Sequence, residues 1–365
     1  MRKLIAPSLM RAALVVFALA AAASAQAPAD ARGALASFPE SQAVLHVNAR
    51  RIINEALPRL LPKAEYDKMI AESRKVGFDV RDVHSVTAGI RFAEPAQPGG
   101  IPEVLLVMRG DFSADALLAL ARVAASTQNL QPREEFIHNK PIQVFDLTGL
   151  GRSEEGAKPP SFPFKEVAAV AIDAHTLAVG VPGYVRAAVE AAHGQGRLRA
   201  SLIDLAAGDP QALWSLTAEL PENLAQHVQK LGVPPNEEMN RILGWLRQVS
   251  LSNGMDALNF TLRAAVLADS PDHANAISGL VRMGLTAAES AAQRDIERKR
   301  HKPDESWQAR IALKAIRTFV NRAEGNTVVL GVSLSQSAFA EIVRREFVKK
   351  PAAPRRGRRR AARRR

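Results

Sequence analysis

Residues 43–49 alternate in character, with Ala43, Leu45, Val47 and Ala49 on one side and Val44, His46 and Asn48 on the other. A period of two predicts a half-buried strand. Helical spacing follows over 51–61 and 64–76, the second stopped near Gly77. Residues 83–92 and 103–109 read as a strand pair across the Pro/Gly-rich EPAQPGGIP. Ser113 is placed as the N-cap of a helix over 113–126, with Leu117, Leu118, Leu120, Ala121 and Ala124 as its apolar stripe. Two hairpins follow: 135–137 with 142–147, turning at 139–141, and 167–172 with 176–179, turning at 173–175. Between them, 150–163 is a polar Pro/Gly loop. A helix over 182–192 ends at Gly194.

The second half repeats this order. Strands are predicted at 212–216, 249–252, 258–267 and 326–334. Helices are predicted at 220–231, 236–245, 271–298 (capped by Ser270), 304–323 and 337–347. Ile277, Leu280, Val281 and Leu285 are expected to face Ile311, Ala315, Ile316 and Phe319 in a helical hairpin. Its polar end, 293–302, reads as a solvated projection or a docking arm.

Three pairs of segments carry the repeat. FPESQAVLHVNARRIINEALPRLL (38–61) resembles GDPQALWSLTAELPENLAQHVQKL (208–231), and LLVMRGDFSADALLALARVAA (105–125) resembles LRAAVLADSPDHANAISGLVRMG (262–284). HTLAVGVPGYVRAAVEA (175–191) resembles NTVVLGVSLSQSAFAEIV (326–343). The expected fold class is α+β: two similar halves, 38–196 and 197–347, each an antiparallel sheet with helices packed on one face. The long helical hairpin belongs to the second half.

The two ends differ from this body. Residues 1–25 combine Arg2, Lys3 and Arg11 with the apolar run 12–22 and the small residues Ala23-Ser24-Ala25. That is the layout of a signal peptide cleaved near Ala25-Gln26, which places the mature protein in the periplasm or outside the cell. The apolar run falls short of the roughly 20 residues of a spanning helix. No integral membrane span is expected after cleavage. Residues 26–37 read as a flexible leader, and 348–365 as a disordered Arg-rich tail.

Charge sharpens the contrast. The 365-residue chain carries a net charge of +12, with 49 Lys+Arg and 37 Asp+Glu. Three basic residues lie in 1–25 and ten in the last 17: Lys349, Lys350, Arg355, Arg356, Arg358, Arg359, Arg360, Arg363, Arg364 and Arg365. Residues 26–348 keep 36 basic and 37 acidic residues, a net −1. The expected partner of the tail is an anionic envelope polymer or membrane surface, bound without sequence preference and sensitive to salt. A protein partner is not specified by the sequence.

Chemistry is sparse. There is no cysteine, which removes disulfides, thiolate nucleophiles and Cys-ligated metals. The eight histidines fall at no metal-binding spacing, so neither a metal site nor a cofactor is expected. The sequence GVSLS around Ser333 lacks the second glycine of a nucleophile elbow. No phosphate-binding glycine loop is present. On one predicted strand face His46 and Asn48 stand together, with Arg50 just beyond; they are the candidate sheet-face binding residues.

The duplicated order and the segment DAHTLAVGVPGYVRAAVEA (173–191) resemble uncharacterised secreted bacterial proteins with a duplicated α+β domain of unknown function. The resemblance covers about 40–345 and implies no functional residues. Three readings follow. The first is a non-catalytic envelope binding or scaffold module held by its tail. The second is a ligand-binding or assembly module using the sheet face or the cleft between halves. The third is an envelope hydrolase without a recognisable motif.

Overall fold

A computed structural model describes residues 31–346, apart from 76, 93–101, 129, 149–163, 222–223, 225–235 and 302–305. The expected signal peptide, the 150–163 loop, nearly all of the 220–231 helix and the tail lie outside the described residues. The mixed α+β class is as expected.

The first half begins with helix α1 (Ala31–Ala36) and strand β1 (Ala43–Val47). Helix α2 runs in three pieces, Ala49–Arg51, a π turn Ile52–Ala56 and Leu57–Leu60, and is followed by α3 (Lys63–Lys75). Then come β2 (Val83–Arg91), β3 (Glu103–Gly110), α4 (Ala114–Ser126), β4 (Arg133–Ile137) and β5 (Lys140–Asp146). Strands β6 (Glu166–Asp173) and β7 (Thr176–Gly180) lead into α5 (Pro182–Ala192) and α6 (Ala200–Ala206). The second half holds β8 (Ala212–Glu219), α7 (Glu237–Trp245), β9 (Leu246–Met255) and β10 (Asn259–Ala268). It ends with α8 (Pro271–Arg298), α9 (Trp307–Arg317), β11 (Val320–Glu324), β12 (Thr327–Ser335) and α10 (Gln336–Glu346).

The twelve strands among the described residues join one antiparallel sheet, ordered β11-β12-β10-β9-β8-β1-β2-β3-β7-β6-β5-β4. The halves meet at β1 and β8, where Leu45 opposes Leu216, Ala43 opposes Ala218 and Val47 opposes Trp214. Moving outward from this centre, β1-β2-β3-β7-β6 is mirrored by β8-β9-β10-β12-β11. Followed along the ladder, Ala88 corresponds to Leu251, Leu106 to Ala264 and Gly180 to Gly331.

Because side chains alternate across a strand, the sheet has two distinct faces. On the front face, Val44, Leu105, Val107 and Ala178 pack with Leu35 of α1, Val185 and Val189 of α5, and Leu202 of α6. On the back face, Leu45, Val86, Met108 and Leu177 pack with Ile52 and Ile53 of α2, Ile70 of α3 and Leu117 of α4. The first half thus gains a second helical layer beyond the single one expected. In the second half, α8 covers the back face, with Ala274 and Ile277 against Val328 and Ala268. Ile277 and Val281 accordingly pack toward the sheet, while α8 and α9 are also in contact with each other.

Local chemistry explains the element ends. Ser113 Oγ accepts from the Ala116 amide at 3.2 Å, and Ser270 Oγ from that of His273 at 3.2 Å. These caps satisfy amides that the first helical turn leaves free. The β4–β5 turn falls at His138 and Asn139, one residue before the expected position, and both have positive φ (47° and 60°). That is the backbone of a two-residue hairpin turn matched to strand twist.

Three segments depart from expectation. Residues 31–36, read as leader, form α1, because Leu35 is fully buried in the front core. Residues 200–206 form the unexpected α6, anchored by buried Leu202, Ile203 and Ala206. The helix expected through 323 stops at Arg317, and 320–324 pair with β12. There the Thr318 hydroxyl donates to the Ser333 carbonyl at 2.6 Å, turning the chain into the edge strand.

Candidate functional site

The sequence candidates separate in space. His46 is buried on the front face, where its Nδ1 meets Thr87 Oγ1 at 3.0 Å. Asn48 leaves the strand. Its side chain accepts from the Arg51 amide at 3.0 Å, and its own amide donates to the Leu213 carbonyl at 2.9 Å. It therefore works as a helix cap and joins no site with His46. Arg50 turns to an exposed cluster instead, where its Nη2 lies 2.8 Å from Asp111 Oδ2 and 2.5 Å from His84 Nε2. His84 Nε2 also lies 2.7 Å from Asp111 Oδ2. That single nitrogen either accepts from Arg50 or donates to Asp111. Hydrogen bonding by His84, aided by Arg50, holds the Asp111 carboxyl below its ordinary range.

His46 belongs to a buried polar row that the sequence pattern did not reveal. Ser85, Thr87, Thr176, Ser215, Thr217, Ser250 and Ser252 are all buried on the same face. Thr217 donates to Ser250 at 3.2 Å, and Ser250 to the Leu205 carbonyl at 3.4 Å. His46 opposes Ser215 across the junction. Yet among the described residues His46 Nε2 and Ser215 Oγ are buried without a hydrogen-bond partner. Burial, reinforced by the positive charge of Arg109, pushes the His46 pKa down to about 4. The ring is therefore neutral at pH 7. Leu35 and Leu202, both fully buried, belong to the helical layer over this face. A histidine facing a serine resembles a base and nucleophile, but these two make no bond to each other and lie inside the core.

The second half presents a different surface. No described residue on the front face of β10, β11 and β12 is buried. Thr261, Arg263, Val320, Arg322, Val329 and Gly331 help line a half-open trough of about 440 Å³ there. Ser333, the weak nucleophile candidate, lines its end as an ordinary strand residue. The ten basic residues of the tail, Lys349 to Arg365, lie outside the described residues. Among the described residues no cluster of three His, Asp or Glu could hold a metal, and no helix is long and apolar enough to cross a membrane.

Fold and surface define an antiparallel α+β sheet protein with one sealed polar row and one face that the described residues leave unburied. No family model and no curated protein matches the chain. Solved structures titled "Structure of crystal form III of TP0453" and "Structure of crystal form IV of TP0453" are similar at TM-scores of 0.41. They are 9% and 10% identical, each alignment covers 85% of this chain, and they are themselves covered over 96% and 95%. Likeness at this level transfers neither a site nor an activity.

Proposed function

We propose that the protein is an exported, non-catalytic scaffold held to an anionic envelope polymer or membrane surface by its tail. The carrying observation is the segregation of charge: ten basic residues in the last 17, against a net −1 over 26–348. The arginines suit bidentate contacts to phosphate or carboxylate. The body supports the non-catalytic part of the reading. Its halves share one sheet through the β1–β8 junction, and His46 and Ser215 face each other there as buried residues of the core. Deleting 349–365 is expected to abolish retention on heparin and on anionic vesicles at low salt while leaving Tm unchanged. Retention that survives the deletion would overturn the tether.

A second reading is favoured by the front face of the second half, which the described residues leave unburied. In it, the sheet itself binds a ligand and the tail only localises the protein.

A further inference from the structure

The ladder lets the two front faces be compared position by position. Leu105 corresponds to Arg263, Ala168 to Val320, and Val170 to Arg322. In the first half Leu105 and Val170 are fully buried in the core that α5 seals. In the second half both positions carry exposed guanidinium groups, and α10, which follows β12 as α5 follows β7, does not seal the face. Phe339 of α10 instead stacks on Phe260, at 3.8 Å between ring centres, in the back-face core.

The trough between the arginines has the chemistry of a ligand site. Arg263 and Arg322 stand two strands apart, about 10 Å across the sheet. On the middle strand Gly331 lies between Arg263 and Val320, and Val329 lies beside Arg322; Gly331 supplies no side chain, so the floor is low and formed by Val320 and Val329. Arg263 Nη1 is 3.4 Å from Asp209, and Arg322 Nε is 3.9 Å from Glu324. Among the described residues neither guanidinium donates a hydrogen bond, so planar donor forks remain to be filled. The volume falls in the range of small-molecule sites.

We infer that this trough binds a small organic oxyanion, with a carboxylate or phosphate held between Arg263 and Arg322 and a short apolar body over Val320, Val329 and Gly331. This rests on the sheet-face reading above and is separate from the tail. A half-enclosed trough admits a single molecule better than a bilayer surface, which needs a protruding apolar face.

The test is calorimetric titration of the full chain with octyl phosphate and octanoate below their micelle concentrations, with octyl glucoside as the neutral control. Saturable binding of the anions and not the glucoside is expected. Arg263→Gln and Arg322→Gln should each weaken it about tenfold, and Gly331→Val should abolish it by filling the floor. These substitutions lie on an exposed surface, and unchanged Tm verifies that each variant folds. Equal affinity in the Arg263→Gln/Arg322→Gln double variant would overturn the proposal, as would binding to anionic vesicles alone. Hydrogen exchange separates the two levels. Anion-dependent protection of β11 and β12 that persists in the double variant overturns the oxyanion site but keeps a binding face. No protection anywhere in β10–β12 under any of these ligands removes both.

Discussion

At the residue scale, His46 is the most informative side chain. Its folded pKa of about 4 lies below the ordinary value of 6.5. The unfolded chain therefore takes up a proton first as pH falls. This contribution to stability is complete above pH 6.5, declines between 6.5 and 4, and is lost below 4. Its size is on the order of 3 kcal/mol. His46→Gln, which keeps a polar side chain opposite Thr87 and Ser215, should flatten the Tm-versus-pH curve over that window. An unaltered slope in the variant would mean that other groups govern acid stability there. Alternation in the sequence placed His46 on a strand. It could not show that seven other polar residues share its buried face, because they come from distant strands.

At the element scale, the two corresponding glycines behave differently. A Cβ on Gly180 would lie 2.4 Å from the Val104 carbonyl oxygen, well inside van der Waals contact. A Cβ on Gly331 would meet nothing closer than 3.8 Å. Gly180→Ala should therefore cost about 2 kcal/mol or more, while Gly331→Ala should be within about 0.5 kcal/mol of neutral. Thermal melts of the pair provide the check, and equal losses would refute the assigned difference in backbone approach. Most elements were legible from period and caps, as at Ser113 and Ser270. Helix α1 was not, since its stability comes from the distant core around Leu35. The arginine face was hidden for a different reason. The segment match by type sets Leu105 against Leu262, one residue from the Arg263 that the ladder assigns. A one-residue slip exchanges the two faces of a strand.

At the scale of the whole molecule, the halves are joined through strand edges, and the joining register is self-complementary around Leu45 and Leu216. Residues 31–207 alone would expose β1 along its whole edge. That fragment is expected to dimerise by pairing β1 with its copy, with Leu45 opposite Leu45, as read by light scattering. A stable monomer at tens of micromolar would contradict the edge as the source of cohesion. The outer edges β4 and β11 are only five residues long and carry charges, which restrains further pairing. The repeat in strand order was readable from segment patterns. The fusion into one sheet was not, because it depends on a contact between chain positions about 170 residues apart. That separation also sets a timetable for folding. Each half can complete its own ladders first, and the β1–β8 seam closes last, after the longest loop in the sheet has been brought together. As the chain emerges N-terminus first, β1 pairs with β2 but its other edge waits open until β8 follows, and this interval is when the protein is most open to misassembly.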